Sequence, residues 1–182
     1  MRLVVMGGSL RVASLNGRLA NHLAGVLETG GHSVALFTGK ALTLPLYEDG
    51  QATPAQALAL QKALLDAQGL VIVSPEYNAG IPGHLKNAVD WLSTLKPSPW
   101  KGLPVLLCAA SPGAFGGARG LMAWRATLAN MGALALPEAL TVPQADQALD
   151  DRGAPTNPRT AAQVPLVLDA LLDLAERVGG HR

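Results

Sequence analysis

Apolar and polar positions follow two rhythms along this chain, and the rhythms take turns. Unbroken apolar runs of strand length fall at about 2–6, 33–37, 69–74, 104–110 and 133–140. Between them, apolar residues recur every three or four positions. Leu15, Leu19, Leu23, Val26 and Leu27 mark one such face, and Ala57, Leu58, Leu60, Gln61, Leu64 and Leu65 a second. Leu85, Ala88, Val89 and Leu92 mark a third, and Leu121, Trp124, Leu128 and Met131 a fourth. Val164, Val167, Leu168, Leu171, Leu172 and Leu174 mark the last. That spacing is the signature of a helix with one buried face. The order is therefore strand then helix, repeated to the end. Continuous apolar strands separated by helices predict an α/β fold, a parallel sheet covered on both faces. Five strands favour the order 2-1-3-4-5, whose ligand crevice lies beside the C-terminal ends of strands one and three. From about Ala139 to Ala162 neither rhythm holds. Pro143, Pro155 and Pro158, with Asp146, Asp150 and Asp151, predict a long surface loop there before the final helix.

The first strand runs directly into Gly7-Gly8-Ser9-Leu10-Arg11-Val12-Ala13-Ser14-Leu15-Asn16. A strand, a small-residue turn and a helix start together make an anion site. Backbone N–H groups point outward there, and the helix dipole adds partial positive charge. Arg11 offers a fork for two phosphate oxygens. Ser9, Ser14 and Asn16 offer side-chain donors. Several phosphate motifs are excluded. The dinucleotide fingerprint needs G-x-G-x-x-G and an acid near the end of strand two. Gly7-Gly8-Ser9 breaks that spacing, and strand two ends in Phe37-Thr38-Gly39-Lys40 without an acid. The triphosphate loop needs Gly-Lys-Ser/Thr, but Ala41 follows Gly39-Lys40. A nucleophile elbow would need glycine where Arg11 stands. A mononucleotide such as FMN remains. The plain alternative is a polar turn that binds nothing, since serine and asparagine are common at helix starts.

The switch-point rule demands chemistry in the loop after strand three. That loop reads Val73-Ser74-Pro75-Glu76-Tyr77-Asn78-Ala79-Gly80-Ile81-Pro82-Gly83. Prolines and glycines stiffen it, Tyr77 offers a flat face and a hydroxyl, and Asn78 can meet a heterocycle's edge. After strand four come Ser111-Pro112-Gly113-Ala114-Phe115-Gly116-Gly117-Ala118-Arg119, whose glycines allow close backbone approach to a planar ligand.

Composition narrows the class. The 182 residues suffice for one domain, 1–182, with a full core. Hydrophobic residues make up 49% and charged residues 15%, so a folded, well-buried protein is expected. A net charge of +1 argues against nucleic-acid and membrane-surface roles, which need a basic stripe. No apolar run reaches membrane-spanning length, and Arg2 leads into a strand with no leader pattern. The single cysteine, Cys108, lies in an apolar run and reads as an inert core residue. A cytoplasmic location is the expectation. His22, His32, His84 and His181 show no metal-ligand spacing, and each reads as a solvated surface residue.

Taken together, these blocks resemble the NADPH-dependent FMN reductase family, over roughly residues 2–140. The resemblance rests on Gly8-Ser9-Leu10-Arg11 with Ser14 and Asn16, on Ser74-Pro75-Glu76-Tyr77-Asn78 with Pro82-Gly83, on Leu85-Lys86-Asn87-Ala88-Val89-Asp90-Trp91-Leu92-Ser93, and on Gly116-Gly117-Ala118-Arg119. It implies a flavodoxin-like fold and an enzyme that moves electrons from NADPH or NADH through FMN. Quinones or similar small acceptors, or free FMN, would receive them. It implies that Ser9, Arg11, Ser14 and Asn16 hold the FMN phosphate and that Pro75, Glu76, Tyr77 and Asn78 lie along the isoalloxazine. The loop carrying Ser111, Gly113, Gly116 and Gly117 would meet the pyrimidine end. Lys86, Asn87, Asp90 and Trp91 match the motif as well and read as structural helix positions. The resemblance also implies a homodimer, with a tetramer as the weaker expectation, and Trp91 and Trp124 are candidates for either the core or the interface. Ala79-Gly80 departs from relatives that carry an aromatic after the Pro-Glu-Tyr-Asn block. Two other classes stay open: an FMN electron carrier without NAD(P)H activity, and a non-redox protein that binds a phosphorylated ligand.

Overall fold

A computed structural model of the chain describes residues 1–179. The elements run β1 (Arg2–Gly7), α1 (Leu15–Thr29), β2 (Ser33–Thr38), a 3-10 turn (Gly39–Leu42), α2 (Ala55–Asp66), β3 (Gly69–Val73) and α3 (Gly83–Thr94). Then come β4 (Pro104–Ala110), α4 (Ala118–Asn130), β5 (Leu134–Val142), α5 (Ala145–Ala148) and α6 (Pro158–Val178). The sheet order is β2-β1-β3-β4-β5 and every pairing is parallel, as the sequence predicts.

Alternation along the strands splits the core into two layers. Leu3, Val5, Val71, Val73, Leu106 and Cys108 face α1 and α6. Val4, Met6, Leu70, Ile72, Val105 and Leu107 face α2, α3 and α4. Successive side chains on a strand point to opposite faces, so both faces of one apolar run are used. Cys108 is fully buried, and burial pushes its thiol up to about 12, so it stays protonated and inert.

The C-terminal ends of β1 and β3 touch through glycine. Gly7 has φ +144°, and a Cβ there would stand 2.0 Å from the Val73 carbonyl oxygen. Gly8 then donates its N–H to that carbonyl at 2.7 Å and turns the chain toward α1. A side chain at Gly7 would force apart the two strands whose ends frame the crevice.

Several expectations need correction. β2 is an edge strand and is only half covered, with Leu36 exposed. On α2 the buried stripe is Ala57, Leu60, Gln61 and Leu64, while Leu58 and Leu65 face water. Residues 139–162 do not form a simple surface loop. β5 runs to Val142, α5 follows, and Leu149 bridges to Pro155. Leu140, Val142, Ala145 and Leu149 are buried in the α1/α6 layer, which fixes the segment. Gly153 lies against α1 so closely that a Cβ would meet the Arg18 carbonyl oxygen at 2.2 Å.

Trp91 and Trp124 are buried in this single chain, so neither is free to form an interface. Trp91 instead donates its Nε1–H to the Pro45 carbonyl at 2.8 Å. One turn away, Asn87 donates to the Leu44 and Pro45 carbonyls and accepts from the Tyr47 N–H. Lys86 and Asp90 pair along the helix at 2.6 Å. The helix motif is thus structural, as read, and its work is to strap the 44–47 segment onto α3. His22, His32 and His84 are half-buried rather than solvated. His181 lies outside the described residues. No helix among the described residues is long and apolar enough to cross a membrane.

Candidate cofactor-binding site

A cleft of about 280 Å³ opens at the C-terminal ends of β1, β3 and β4. Ser9, Arg11, Ser14, Asn16, Pro75, Glu76, Tyr77 and Ser111 all line it, together with Ala13, Leu15, Ala110 and Pro112. Most of the residues expected at the site therefore meet around one opening.

The β1–α1 loop is organised by its two serines. Ser14 is the N-cap of α1, and its Oγ accepts the Gly17 N–H at 2.9 Å and the Ser9 N–H at 3.0 Å. Ser9 Oγ accepts the Arg11 N–H at 3.1 Å and the Tyr77 hydroxyl at 3.2 Å. A serine oxygen has two acceptor positions and one hydrogen. In both serines the acceptor positions are filled, so each hydroxyl has only its hydrogen left to give. Both are donors held ready for an acceptor in the cleft. The backbone N–H groups of Leu10, Val12 and Ala13 make no hydrogen bond among the described residues, and Arg11 forms no ion pair there. The free side-chain groups of this loop are donors or a cation, and three free N–H groups stand beside them. That donor set fits a phosphate and suits a cation poorly.

Asn16 plays a different part. Its Nδ2 donates to the Ala110 carbonyl at 2.7 Å, and its Oδ1 accepts the Ala110 N–H at 2.8 Å. It ties the first turn of α1 to the end of β4 and keeps one Nδ2 hydrogen for the cleft.

The β3 loop is anchored from the other side. Glu76 Oε1 accepts from Arg119 Nε at 2.8 Å and lies 2.6 Å from Nη2, while Oε2 accepts the Gly120 N–H at 3.1 Å. Arg119 also sits over the Phe115 ring at 5.5 Å. Burial works against the Glu76 charge. The Arg119 fork and the Gly120 N–H outweigh it and hold the carboxyl below its ordinary value. Glu76 thereby pins the crevice loop to the start of α4.

Beyond Glu76 the chain makes a tight turn, with Tyr77 and Gly80 exchanging backbone hydrogen bonds at 2.9 and 3.2 Å. Asn78 and Ala79 occupy its centre at φ +52° and +59°. Asn78 stands on this exposed turn and does not line the cleft. Gly113, Gly116 and Gly117 also stand outside it. Gly116 and Gly117 face protein: a Cβ at Gly116 would meet the Pro143 nitrogen at 2.9 Å, and one at Gly117 the Ala109 Cβ at 2.7 Å. Their missing side chains let the β4–α4 loop lie flat against β4 and β5.

Two functional neighbours went unassigned in the sequence. Arg119 closes the motif block and partners Glu76. His84 places Nε2 3.2 Å from the Gly8 carbonyl, so that nitrogen carries the proton. Burial lowers the His84 pKa, the carbonyl opposing, so the ring braces the loop in its neutral form.

The parallel sheet and its order define a flavodoxin-like fold, with a donor-rich crevice at the switch point. The chain belongs to the NADPH-dependent FMN reductase family, whose profile matches residues 1–147. It is 41% identical over 123 residues to a quinone reductase of Escherichia coli strain K12, a match that takes in 65% of this chain and 64% of that protein. It is 29% identical over 185 residues to an NAD(P)H-dependent FMN reductase of Pseudomonas aeruginosa, covering 99% of this chain and 98% of the relative. Among solved structures it is similar to FerB, a flavoenzyme NAD(P)H:(acceptor) oxidoreductase of Paracoccus denitrificans, with a TM-score of 0.84 and 31% identity over 96% of this chain and 97% of that one. The relatives of matching length are named as an NAD(P)H-dependent FMN reductase and a flavoenzyme NAD(P)H:(acceptor) oxidoreductase.

Proposed function

We propose that this chain, acting as one FMN-binding domain, is an NAD(P)H-dependent reductase that delivers electrons to quinones or similar small acceptors, or to free FMN. The observation that carries the reading is the pair of serines, Ser9 and Ser14, each left with only a hydrogen to donate into the cleft. They would hold the FMN phosphate with Arg11, the free N–H groups of Leu10, Val12 and Ala13, and the remaining Asn16 hydrogen. Pro75, Glu76 and Tyr77 would flank the isoalloxazine, with Asn78 at the edge of the turn. Ser111, Gly113, Gly116 and Gly117 would supply the wall at the pyrimidine end. Bound FMN would supply the redox centre between a pyridine nucleotide and the acceptor. The protein's own part is positional. The Glu76–Arg119 pair holds the crevice loop, Asn16 holds α1 to β4, and His84 braces Gly8. No protein nucleophile is called for.

The test is an absorption spectrum of protein loaded with FMN, followed by NADPH under anaerobic conditions. Bleaching of bound flavin is expected. Flavin that binds but does not bleach would make the chain an electron carrier. Failure to bind FMN would leave a non-redox phosphate-binding protein. With a quinone acceptor, parallel double-reciprocal lines are expected, because one narrow cleft must take donor and acceptor in turn. The use of a soluble nucleotide as donor favours work in the cytoplasm. A homodimer is the expected assembly, read by sedimentation of the flavin-loaded protein. Exposed Phe115 and Met122, on the loop and helix beside the crevice, give it an apolar surface to cover.

A further inference from the structure

A second cleft, of about 420 Å³, lies on the far flank of the β1–α1 loop. It shares Ser9, Arg11 and Ser14 with the flavin cleft, so the two openings are separated only by the width of that loop. Its other walls come from α1 and from the turn after β2, and no carboxylate lines it. Three cations do: Arg11 on the loop, Arg18 on α1 and Lys40 on the 3-10 turn. Lys40 is exposed and forms no ion pair among the described residues. Arg18 is steadied from behind. Its Nη1 donates to the Asp150 carbonyl at 3.1 Å and stands 4.0 Å from the fully exposed Asp151 carboxylate. The rest of its fork is uncommitted. Thr38, Thr43 and Asn21 add neutral polar groups around the same space.

The lip between the clefts is apolar. Leu10 and Val12 line the second cleft with 51% and 108% of their surface exposed. An anion alone would gain nothing from these side chains. A ligand with a flat or sugar face next to a phosphate would cover them and meet the cations together. The cations sit where β2 ends. An acid at this place would repel a phosphate and favour a free ribose hydroxyl, whereas cations favour a phosphorylated ribose. Here the position carries Lys40 and no acid.

We propose that this cleft holds the adenosine 2′-phosphate end of NADPH, with Lys40 and Arg18 as the phosphate ligands and Leu10 and Val12 as the platform for the adenosine. The inference rests on the reductase reading for its ligand. The nicotinamide end would occupy the flavin cleft, and the chain of the dinucleotide would pass over the Ser9–Ser14 loop. Arg11 belongs first to the flavin phosphate, so the subsite's own determinants are Lys40 and Arg18. Selection of NADPH over NADH follows, because only the former brings the charge that these two residues lack.

The test is direct binding of 2′,5′-ADP and of ADP, measured by calorimetry on FMN-saturated protein. The two probes carry the same groups and differ in where one phosphate sits. About tenfold or greater preference for 2′,5′-ADP is expected, the size of one charge-assisted hydrogen bond. Lys40→Ala should remove most of the preference and Lys40→Glu all of it, with FMN affinity unchanged in both. Lys40 is exposed and its side chain is unbonded, so neither change threatens the fold. The ratio of KM values for NADH and NADPH should fall toward one in the same variants. Equal binding of the two probes would overturn the subsite, as would a preference that survives Lys40→Glu. A parallel loss of FMN affinity would also overturn it, since the cleft would then belong to the flavin phosphate. If the protein takes up no FMN, the reductase reading fails separately, and the probe preference of the flavin-free protein still decides the subsite.

Discussion

Asn16 and Ala110 hold each other by a reciprocal pair of buried hydrogen bonds, 2.7 and 2.8 Å long, across 94 residues of chain. That pair joins the first turn of α1 to the last residue of β4, so it fixes the width of the cleft between them from within. Asn16→Leu would leave a buried N–H and a buried carbonyl without partners. A loss of about 2–4 kcal/mol in urea unfolding is expected, from two unmade bonds and the desolvation they leave. FMN affinity should fall with it. A variant of unchanged stability would mean that the α1–β4 junction is held by packing alone.

Arg11 forms no ion pair among the described residues and belongs to the loop that carries the two donor serines. Its expected role is with the flavin phosphate. Arg11→Ala should weaken FMN binding by about 10–150-fold, the range for one charge-assisted contact. Riboflavin, which lacks the phosphate, should bind almost as before. Titration of both ligands into both proteins separates the two outcomes. Equal losses would remove Arg11 from the phosphate site.

How much of this was legible in the sequence depended on whether the signal was local. The five strands and their order followed from apolar runs and periodicity, and the β1–α1 loop from its residue types. The 139–162 segment reads as a loop in the sequence, yet Leu140, Val142, Ala145 and Leu149 are buried in the layer formed with α1 and α6, which are distant in sequence. Local pattern reading sees only the prolines and aspartates. Trp91 and Trp124 read as core or interface alike, because an aromatic on a helix carries no mark of which surface covers it; the fold selects the core. The Asn16–Ala110 pair and the contact of His84 with Gly8 are long-range, and no spacing rule announces them. In the sequence Lys40 marks only the end of β2, in a Gly-Lys pair that Ala41 keeps from being a triphosphate loop. Its place beside Arg18 is a product of the fold.

Ala79 sits at φ +59° in the turn that carries Tyr77 to Ser9, next to Asn78 at +52°. Asparagine tolerates the left-handed region and alanine does so at a cost of about 1–2 kcal/mol. Glycine would relieve that strain but would lose more chain entropy on folding, by about 0.4–1 kcal/mol. Ala79→Gly should therefore stabilise the protein by about 0.5–1 kcal/mol, read as a higher melting temperature. Ala79→Val should do the opposite, since a β-branched side chain fits this region worst. A destabilised glycine variant would show that the turn is not under strain.

Glu76 and Arg119 lock the same loop from its other end, and their contribution depends on pH in a definite direction. The Glu76 carboxyl is held below its ordinary value of 4.5: burial opposes the charge, and Arg119 with the Gly120 N–H overcomes it. The folded state thus binds the proton less readily than the unfolded chain. The stabilisation is complete above the unfolded value and is lost as pH falls through the folded one. Glu76→Gln keeps an oxygen for Gly120 but turns an amide toward the Arg119 fork, where no negative charge remains. With Arg119 63% exposed, a loss of about 1 kcal/mol is expected at neutral pH after allowing for solvent screening. Urea unfolding should show that gap between parent and variant at about pH 7 and a closing gap as the pH is taken below about 4. A gap that stays constant down the whole acid range would mean that Glu76 works through its shape, and that the charge on the crevice loop does not matter.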